Sequence, residues 1–209
     1  QGSRGRNSGT GGDGSEGSNI FGFYASNAVN STISNLTISN LSSGIGGNGG
    51  TGSVGAGGAG GAAGYVFGIY FQNSFNNSVK STTILNLTGG TAGSGGGGTT
   101  NGGIGGVGGQ VYSIGIRQLS YNISIYRSDI RFVRGGNGGA GGTGTPDGTG
   151  GFGGNSSFLY ISNSNATTFE NAYANSSIGG DMGSSSITGL VHGGIGSGIY
   201  FHIANYTNI

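Results

Sequence analysis

Ten asparagines stand in the pattern Asn-x-Ser/Thr, about twice the number that the Ser and Thr content gives by chance. In this pattern the side-chain amide nitrogen accepts an N-linked glycan, and such a bulky polar group solubilises the surface that carries it. Three pairs are ten residues apart and are predicted to occupy equivalent repeat positions, in glycan rows on one face: Asn30 and Asn40, Asn76 and Asn86, and Asn165 and Asn175. The candidate glycosylation sites are Asn30, Asn35, Asn40, Asn76, Asn86, Asn122, Asn155, Asn165, Asn175 and Asn205.

These asparagines have a second explanation. Asn accepts the strained backbone of tight turns, and its amide side chains form ladders between stacked turns. Asn77, which follows Asn76 without forming a glycosylation motif of its own, suits such a turn role. The sequence leaves both explanations open, and the functional prediction uses glycosylation.

Charged side chains are few, and one group of them is regularly spaced. Arg127, Asp129 and Arg131 alternate along a strand-like run and are predicted to share one face of it, with Arg134 just beyond. One interpretation is a patch for anions or acidic glycans. The other, which we favour, is a row of surface ion pairs that contributes little stability.

The residues that catalysis and metal binding need are scattered. The histidines are His192 and His202, and the carboxylates form no close pair and no ligand spacing. Glycine-rich strings that resemble nucleotide-binding loops lack a surrounding βαβ unit. We therefore predict no enzyme activity, no metal and no other cofactor. The carboxylates are Asp13, Glu16, Asp129, Asp147, Glu170 and Asp181.

Charge and composition exclude several classes of partner. The 209 residues have a net charge of +1 and only 6 % are charged, which gives no electrostatic reason to bind nucleic acid or anionic membranes. No apolar run approaches the length of a membrane span, and the absence of cysteine excludes disulfides and thiolate metal sites. A surface with so little charge must be hidden, polymerised or coated with a soluble group.

The 55 glycines recur at nearly every third position in four stretches. In the clearest stretch all seven positions of one frame, from Gly46 to Gly64, are glycine. A helix with three residues per turn then has one stripe without side chains, so neighbouring backbones can approach closely. Because Pro146 is the only proline, a collagen helix is not expected, and the pattern predicts packed helices of the polyglycine II type. Flexible loops are the alternative.

Between the glycine blocks lie strand-like segments that repeat at an offset of 46 residues, so that segment 21–24 aligns with segment 67–70. Stacking of these copies predicts parallel sheets with two apolar ladders and a tyrosine column. The ladders are Ile33, Val79 and Ile125, and Ile38, Ile84, Ile130 and Tyr173. The column is Tyr24, Tyr70, Tyr112, Tyr160 and Tyr200.

The predicted architecture is an all-β single domain over residues 1–209: a repeat solenoid, either a parallel β-helix or stacked sheets, with polyglycine II blocks. We place a glycine block at 1–18, repeats at approximately 19–64, 65–109, 110–154 and 155–197, and a partial repeat at 198–209. The glycine block at the start and the strand segment at the end complement each other. Copies joined head to tail then form an open filament; a piece of a longer repeat protein is the alternative.

Segment 35–41, Asn-Leu-Thr-Ile-Ser-Asn-Leu, resembles the coils of right-handed parallel β-helix surface proteins. The triplet glycine blocks resemble the polyglycine II lobes of glycine-rich adhesins and antifreeze proteins. In its Ser/Thr/Asn/Gly/Tyr-rich, Lys/Glu-poor and cysteine-free composition, the chain is similar to secreted archaeal surface-filament proteins. These resemblances imply a secreted structural protein.

The sequence therefore predicts a structural subunit of an extracellular, N-glycosylated filament or sheath at the cell surface. Its partners would be further copies of itself and its covalent glycans, and subunits would join head to tail through backbone hydrogen bonds and strand continuation. The alternatives are an adhesin or an ice- or glycan-binding module with a flat regular face, and a polysaccharide-active β-helix enzyme.

Overall fold

The computed structural model of the chain describes residues 9–184 and 192–208. The fold is all-β, as the sequence predicts: a solenoid of parallel strands lies beside a bundle of glycine-rich helices of the polyglycine II type. The described strands are β1 (Ile20–Ser26), β2 (Thr32–Ser34), β3 (Thr37–Ser39), β4 (Val66–Gln72), β5 (Phe75–Lys80), β6 (Thr83–Thr88), β7 (Val111–Arg117), β8 (Tyr121–Tyr126), β9 (Asp129–Arg134), β10 (Ser156–Glu170), β11 (Tyr173–Ile178) and β12 (Gly196–Asn208).

Corresponding strands of successive repeats pair in parallel and form three series. The first series runs β1-β4-β7-β10 and the second runs β2-β5-β8-β10, so the long strand β10 joins them into one sheet, with β12 paired to β10 beyond them. The third series, β3-β6-β9-β11, forms a separate sheet. One turn of the solenoid, called a coil below, therefore consists of three strand segments followed by a glycine-rich hairpin.

The core is a set of apolar ladders, because inward side chains stack on their equivalents in the next coil. Both predicted ladders are confirmed where the offset is 46 residues: Val79 lies between Ile33 and Ile125, and Ile84 lies between Ile38 and Ile130. The predicted end of the second ladder is wrong. Between β9 and β11 the offset falls to 44 residues, so Ile130 pairs with Ala174, and Tyr173 pairs with Asp129 and is exposed.

Each glycine block folds into two antiparallel arms instead of one continuous helix. The first layer consists of segments 11–18, 57–64, 102–109, 148–154 and 192–195; the second layer consists of segments 44–52, 89–98, 135–144 and 179–184. Neighbours within a layer run parallel, and the two layers run antiparallel to each other. The glycine frame from Gly46 to Gly64 thus spans a turn near Val54, and its glycines have different partners on the two sides of that turn.

The hydrogen bonds explain why two of every three residues are glycine. In the central arm of the first layer, the Gly60 amide donates within the layer to the carbonyl of Ile104 at 2.8 Å. The Gly61 amide donates across the layers to the carbonyl of Gly47, also at 2.8 Å. The third residue of the triplet, Ala59, is partly exposed, and its equivalents in the neighbouring arms, Asp13 and Ile104, are exposed, so this position accepts different side chains. The dense backbone bonding offsets the large conformational entropy that glycine loses on folding.

A methyl group at an interior bundle position should disrupt the bundle. A Cβ on Gly106 would lie 2.1 Å from the carbonyl oxygen of Gly61, so we expect Gly106→Ala to lower the free energy of unfolding by about 3 kcal/mol or more. Gly97 is the matched control, because its Cβ would lie closest to the ends of the Thr143 and Thr51 side chains, at 3.0 and 3.3 Å, and at an ordinary 3.7 Å from the Thr143 carbonyl oxygen. Denaturant unfolding of both variants checks this; equal losses would contradict the packing.

Candidate functional site

Six of the predicted glycosylation sites have a backbone in the left-handed region, and these local bends, together with the other residues of positive φ, are called corners below. The six are Asn30 (φ 52°), Asn35 (φ 53°), Asn40 (φ 57°), Asn76 (φ 54°), Asn86 (φ 54°) and Asn122 (φ 51°). Three of them, Asn76, Asn86 and Asn122, lie within β5, β6 and β8. Asn adopts this region more readily than other side-chain-bearing residues because its short amide bonds the local backbone. All six side chains are exposed. The corners therefore select Asn for its conformation and also leave each amide accessible to modification.

Corner residues stack in columns, one residue per coil. In one column the Asn86 amide nitrogen donates to Asn40 Oδ1 at 3.2 Å, and in another the Asn122 amide nitrogen donates to Asn76 Oδ1 at 2.7 Å. The turn role expected of Asn77 is wrong, because this residue lies within β5 and pairs with Ile123. Its side chain is buried and bonds the backbone of the preceding coil, at Ala28 and Ser31. The side-chain ladders offered by the second explanation are thus present between Asn40 and Asn86 and between Asn76 and Asn122. Glycosylation of these residues stays a prediction.

Four predicted sites lie away from these columns. Asn155 is on the bundle, where its side chain accepts the Ile195 amide at 2.8 Å. Asn165 pairs with Tyr121, and Asn175 pairs with Arg131. Both asparagines are therefore one residue out of register with the columns of Asn76 and Asn86, and the prediction that they occupy equivalent repeat positions is wrong. The shortened repeat causes this shift. The backbone of Asn205 pairs with that of Asn165, and the side chains of both lie outside the described part of the chain.

The first strand of each series has an outer edge with no partner strand among the described residues. These edges belong to β1, β2 and β3, which pair on their other sides with β4, β5 and β6. Three large side chains are exposed at the β1 edge: Phe21 (39 %), Phe23 (36 %) and Tyr24 (49 %). None of the three strands contains a charged residue or proline, the usual features that prevent an edge from pairing further.

An aromatic row runs along the outside of the first strand series. Phe21 stacks on Phe67 and Tyr24 stacks on Tyr70, with ring centroids 5.4 and 5.5 Å apart. The predicted tyrosine column is interrupted in the third coil, because Tyr70 pairs with Gly115, not with Tyr112. Tyr112 instead pairs with Phe67, although its ring reaches Tyr160 at 4.4 Å.

Gly115 makes room for this arrangement of rings. A Cβ at this position would lie 2.7 Å from two ring carbons of Phe67 and 3.1 Å from the ring of Tyr70. The aromatic row therefore continues through the third coil only because the residue in register with Tyr70 has no side chain.

The charged residues form surface ion pairs, as favoured from the sequence. Arg131 makes a bidentate contact with Asp129, both nitrogen–oxygen distances being 2.7 Å, and Arg134 contacts Asp181 at 3.1 Å. The hydrogen bonds that Arg131 donates to the Asp129 carboxylate, together with the attraction between the two charges, raise the pKa of Arg131. The prediction that Arg127 shares their face is wrong, because it lies at a corner with φ 51° and packs over the Tyr126 ring.

Several carboxylates have structural partners. Asp13 Oδ1 accepts the Ala59 amide at 2.8 Å, and Asp147 Oδ1 accepts the Gly144 amide at 2.7 Å. Within residues 9–184 and 192–208, no group of three or more histidine or carboxylate side chains is placed to hold a metal ion. The same residues contain no helix long and apolar enough to cross a membrane. The predictions of no enzyme activity and no cofactor stay predictions.

No protein family matches the chain, and no curated protein matches it. Among solved structures, an antifreeze protein from Granisotoma rainieri is similar to it; that protein is described as a springtail bundle of nine polyproline type II helices whose crystal waters match the ice lattice. The two share 20 % identity over 93 % of this chain and 97 % of that chain, with a TM-score of 0.26. A likeness at this TM-score carries no argument for fold or function.

The corner asparagines allow the conformational role to be separated from the glycan role. We expect Asn35→Ala to lower the free energy of unfolding by about 1 kcal/mol in unglycosylated protein, because alanine is disfavoured in the left-handed region. Asn35→Gly should restore most of this loss, since glycine accepts that region. Thr37→Ala is the control: it removes the glycosylation motif and leaves the corner residue in place. Denaturant unfolding that ranks alanine and glycine equally would contradict the corner role.

Tyr70 should make stability fall at high pH. Burial raises its pKa above the usual value of 10.0, although nearby Arg117 acts in the opposite direction. The unfolded chain therefore ionises Tyr70 first, so the stabilisation is complete below pH 10 and is lost as the pH rises through the folded-state pKa. Above pH 10, the melting temperature of Tyr70→Phe should fall less steeply with pH than the melting temperature of the parent protein. Identical alkaline slopes would contradict this assignment.

Proposed function

We propose that the protein is a structural subunit of an extracellular, N-glycosylated filament or sheath. Copies join head to tail, so that the solenoid of one subunit continues that of the next. The observation that carries this proposal is the set of parallel, uncharged strand edges at β1, β2 and β3. Unpaired backbone amides and carbonyls on such an edge bind another strand readily.

The strand at the other end of the first series provides a suitable partner. Strand β12 also contains no lysine, arginine, aspartate or glutamate. Its backbone register places Tyr200 in the column that begins with Tyr24, because Tyr200 pairs with Tyr160, which is itself two coils beyond Tyr70. If β12 of one copy pairs with β1 of the next in this register, Tyr200 and Tyr24 are backbone partners at the junction.

Glycosylation supplies the solubility that charge does not. With a net charge of +1, the chain has little electrostatic protection against unspecific association. The six corner asparagines are exposed. Three of them, Asn76, Asn86 and Asn122, lie in the second and third coils, and the other three flank β2 and β3 in the first coil, beside the edge that would join subunits. Glycans at Asn76, Asn86 and Asn122 would coat the sides of a filament and lie at least one coil away from this edge.

An adhesin or an ice- or glycan-binding module is a second candidate, because the arms of the first bundle layer run side by side in parallel and repeat at regular intervals. Every third residue of its arms points outward, and several are small or apolar, including Ala59 and Ala62. Ile104, Val107 and Phe152 are 57 %, 39 % and 49 % exposed in this layer. Ice-growth inhibition or glycan-array binding by the monomer would support this function, and loss of that activity in Ile104→Lys would assign it to this layer.

A positive charge at the β1 edge should block assembly. We expect Tyr24→Lys to raise the protein concentration needed for filament growth at least tenfold, equivalent to about 1.4 kcal/mol per junction. Val54→Lys is the matched control, because Val54 is 77 % exposed at the far tip of the bundle. Sedimentation and electron microscopy provide the measurement, and circular dichroism checks that both variants fold.

Two results would contradict the filament. One is a purified, glycosylated parent protein that remains monomeric at every concentration. The other is equal inhibition of assembly by Tyr24→Lys and Val54→Lys, which would place the contacts between subunits elsewhere.

A further inference from the structure

Phe132 combines two unfavourable properties. Its backbone is in the left-handed region, with φ 57°, and its side chain is 57 % exposed. A bulky aromatic residue is a genuine outlier in that region, and an exposed phenyl ring gains little from burial. The same column has Asn40, Asn86 and Ser176 at the equivalent corners, all with positive φ.

The protein itself gives this ring little to contact. Among the described residues, Phe132 has no ring–ring contact and no cation over its face. Sites of backbone strain that the local packing does not explain are often functional.

The ring lies on a groove of about 500 Å³ where the third strand series meets the second bundle layer. The wall of the groove combines apolar side chains with amide, hydroxyl and guanidinium groups. Such a wall can contact the apolar face of a sugar ring and form hydrogen bonds with its hydroxyl groups. Its wall includes Asn86, Thr88, Phe132, Arg134 and Ile178. Ile178 is 54 % exposed, so this part of the surface has open apolar area beside amide and guanidinium groups.

One glycosylation motif lies in the same wall. Asn86, Leu87 and Thr88 form the motif, and the register pairs Leu85 with Arg131 and Leu87 with Val133. Asn86 is therefore directly beside Phe132 in the next coil, at the spacing of neighbouring strands, about 4.8 Å. A sugar ring attached to Asn86 is within stacking distance of the phenyl face.

We propose that Asn86 carries an N-linked glycan whose first sugar stacks on Phe132 and occupies this groove. The inference rests on the glycosylation part of the proposed function. In the modification, the sugar C1 forms a bond to Asn86 Nδ2, which loses one proton to solvent. The bond from C1 to the phosphate oxygen of a lipid-linked oligosaccharide donor breaks, and the lipid phosphate leaves. The second Nδ2 hydrogen remains to donate to Asn40 Oδ1.

The column arrangement favours Asn86 over the other corner sites. Asn40 is two coils from Phe132, with Asn86 between them. Asn76 is followed in its column by Asn122, and Asn35 by Ser81, so neither has an aromatic residue at the next corner. When the apolar face of a pyranose stacks on an aromatic ring, it covers apolar surface of that ring that would otherwise be exposed to water. The strained phenylalanine then has a role that Asn at the same corner would not supply.

The test compares Phe132→Asn with Leu119→Asn, each with and without Thr88→Ala, in a host that glycosylates the chain. Leu119 is the matched control because it has φ 61° and is 77 % exposed in the same coil. Thr88→Ala removes the Asn86 glycosylation motif and retains Asn86. Neither asparagine substitution creates a new motif.

Relief of left-handed strain should raise the melting temperature by about 2–4 °C for Leu119→Asn in both backgrounds. Phe132→Asn should give that gain only when the Asn86 glycan is absent, because with the glycan present the lost sugar stacking cancels it. In the parent protein, protons of the first sugar should show an upfield ring-current shift in NMR spectra that Phe132→Asn abolishes.

Glycopeptide mapping separates the two levels of the proposal. If no site carries a glycan, the glycosylation part of the proposed function fails. If other sites are occupied and Asn86 is not, the present inference is overturned and the proposed function stands. Equal gains from Phe132→Asn in both backgrounds, or sugar protons that do not respond to this substitution, would also overturn it.

Discussion

The structure depends on in-register hydrogen bonding between the backbones of successive coils. In the solenoid this bonding forms the parallel strand ladders, and in the bundle it links each glycine-rich arm to neighbours in its own layer and in the other layer. Neither element can satisfy its backbone groups alone: a polyglycine II helix has no internal hydrogen bonds, and a single strand has none either. A coil is therefore stable only when it pairs with a neighbouring coil, and the same constraint leaves unpaired backbone edges where the stack ends.

This constraint determines which residues each part of the coil can tolerate. Bundle arms need glycine at two of three positions, as the contacts of Gly60 and Gly61 demonstrate. Corners need residues that accept positive φ, which explains the abundance of asparagine there. Core strands need β-branched and leucine side chains that stack on the side chain at the equivalent position of the next coil, as Val79 does on Ile125. Few positions remain for charge, so solubility must come from another source.

Much of the fold could be predicted because periodicity and offset are visible in the sequence. The glycine triplets predict the bundle, and the 46-residue offset predicts the ladders through Ile84 and Ile130. The hairpin within each glycine block could not be predicted, since the triplet frame continues through the turn near Val54. The shift at Tyr173 and Asn175 escaped detection because a shortened coil changes the register without changing the residue types.

The candidate site was predictable in part for the same reason. The asparagine motifs are visible in the sequence, but the columns they form depend on the register of each coil, which backbone pairing decides. Phe132 attracts no attention in the sequence, because its strain follows from the corner position and its exposure follows from the groove.

The central claim is that subunits extend each other's solenoid, and the axial spacing of native filaments tests it most directly. The first strand series contains five strands, β1, β4, β7, β10 and β12. At about 4.8 Å per strand, solenoid continuation predicts an axial rise of about 24 Å per subunit in helical reconstruction by electron cryomicroscopy. A filament with strands running along its axis, a rise unrelated to this value, or native protein without filaments would contradict the account.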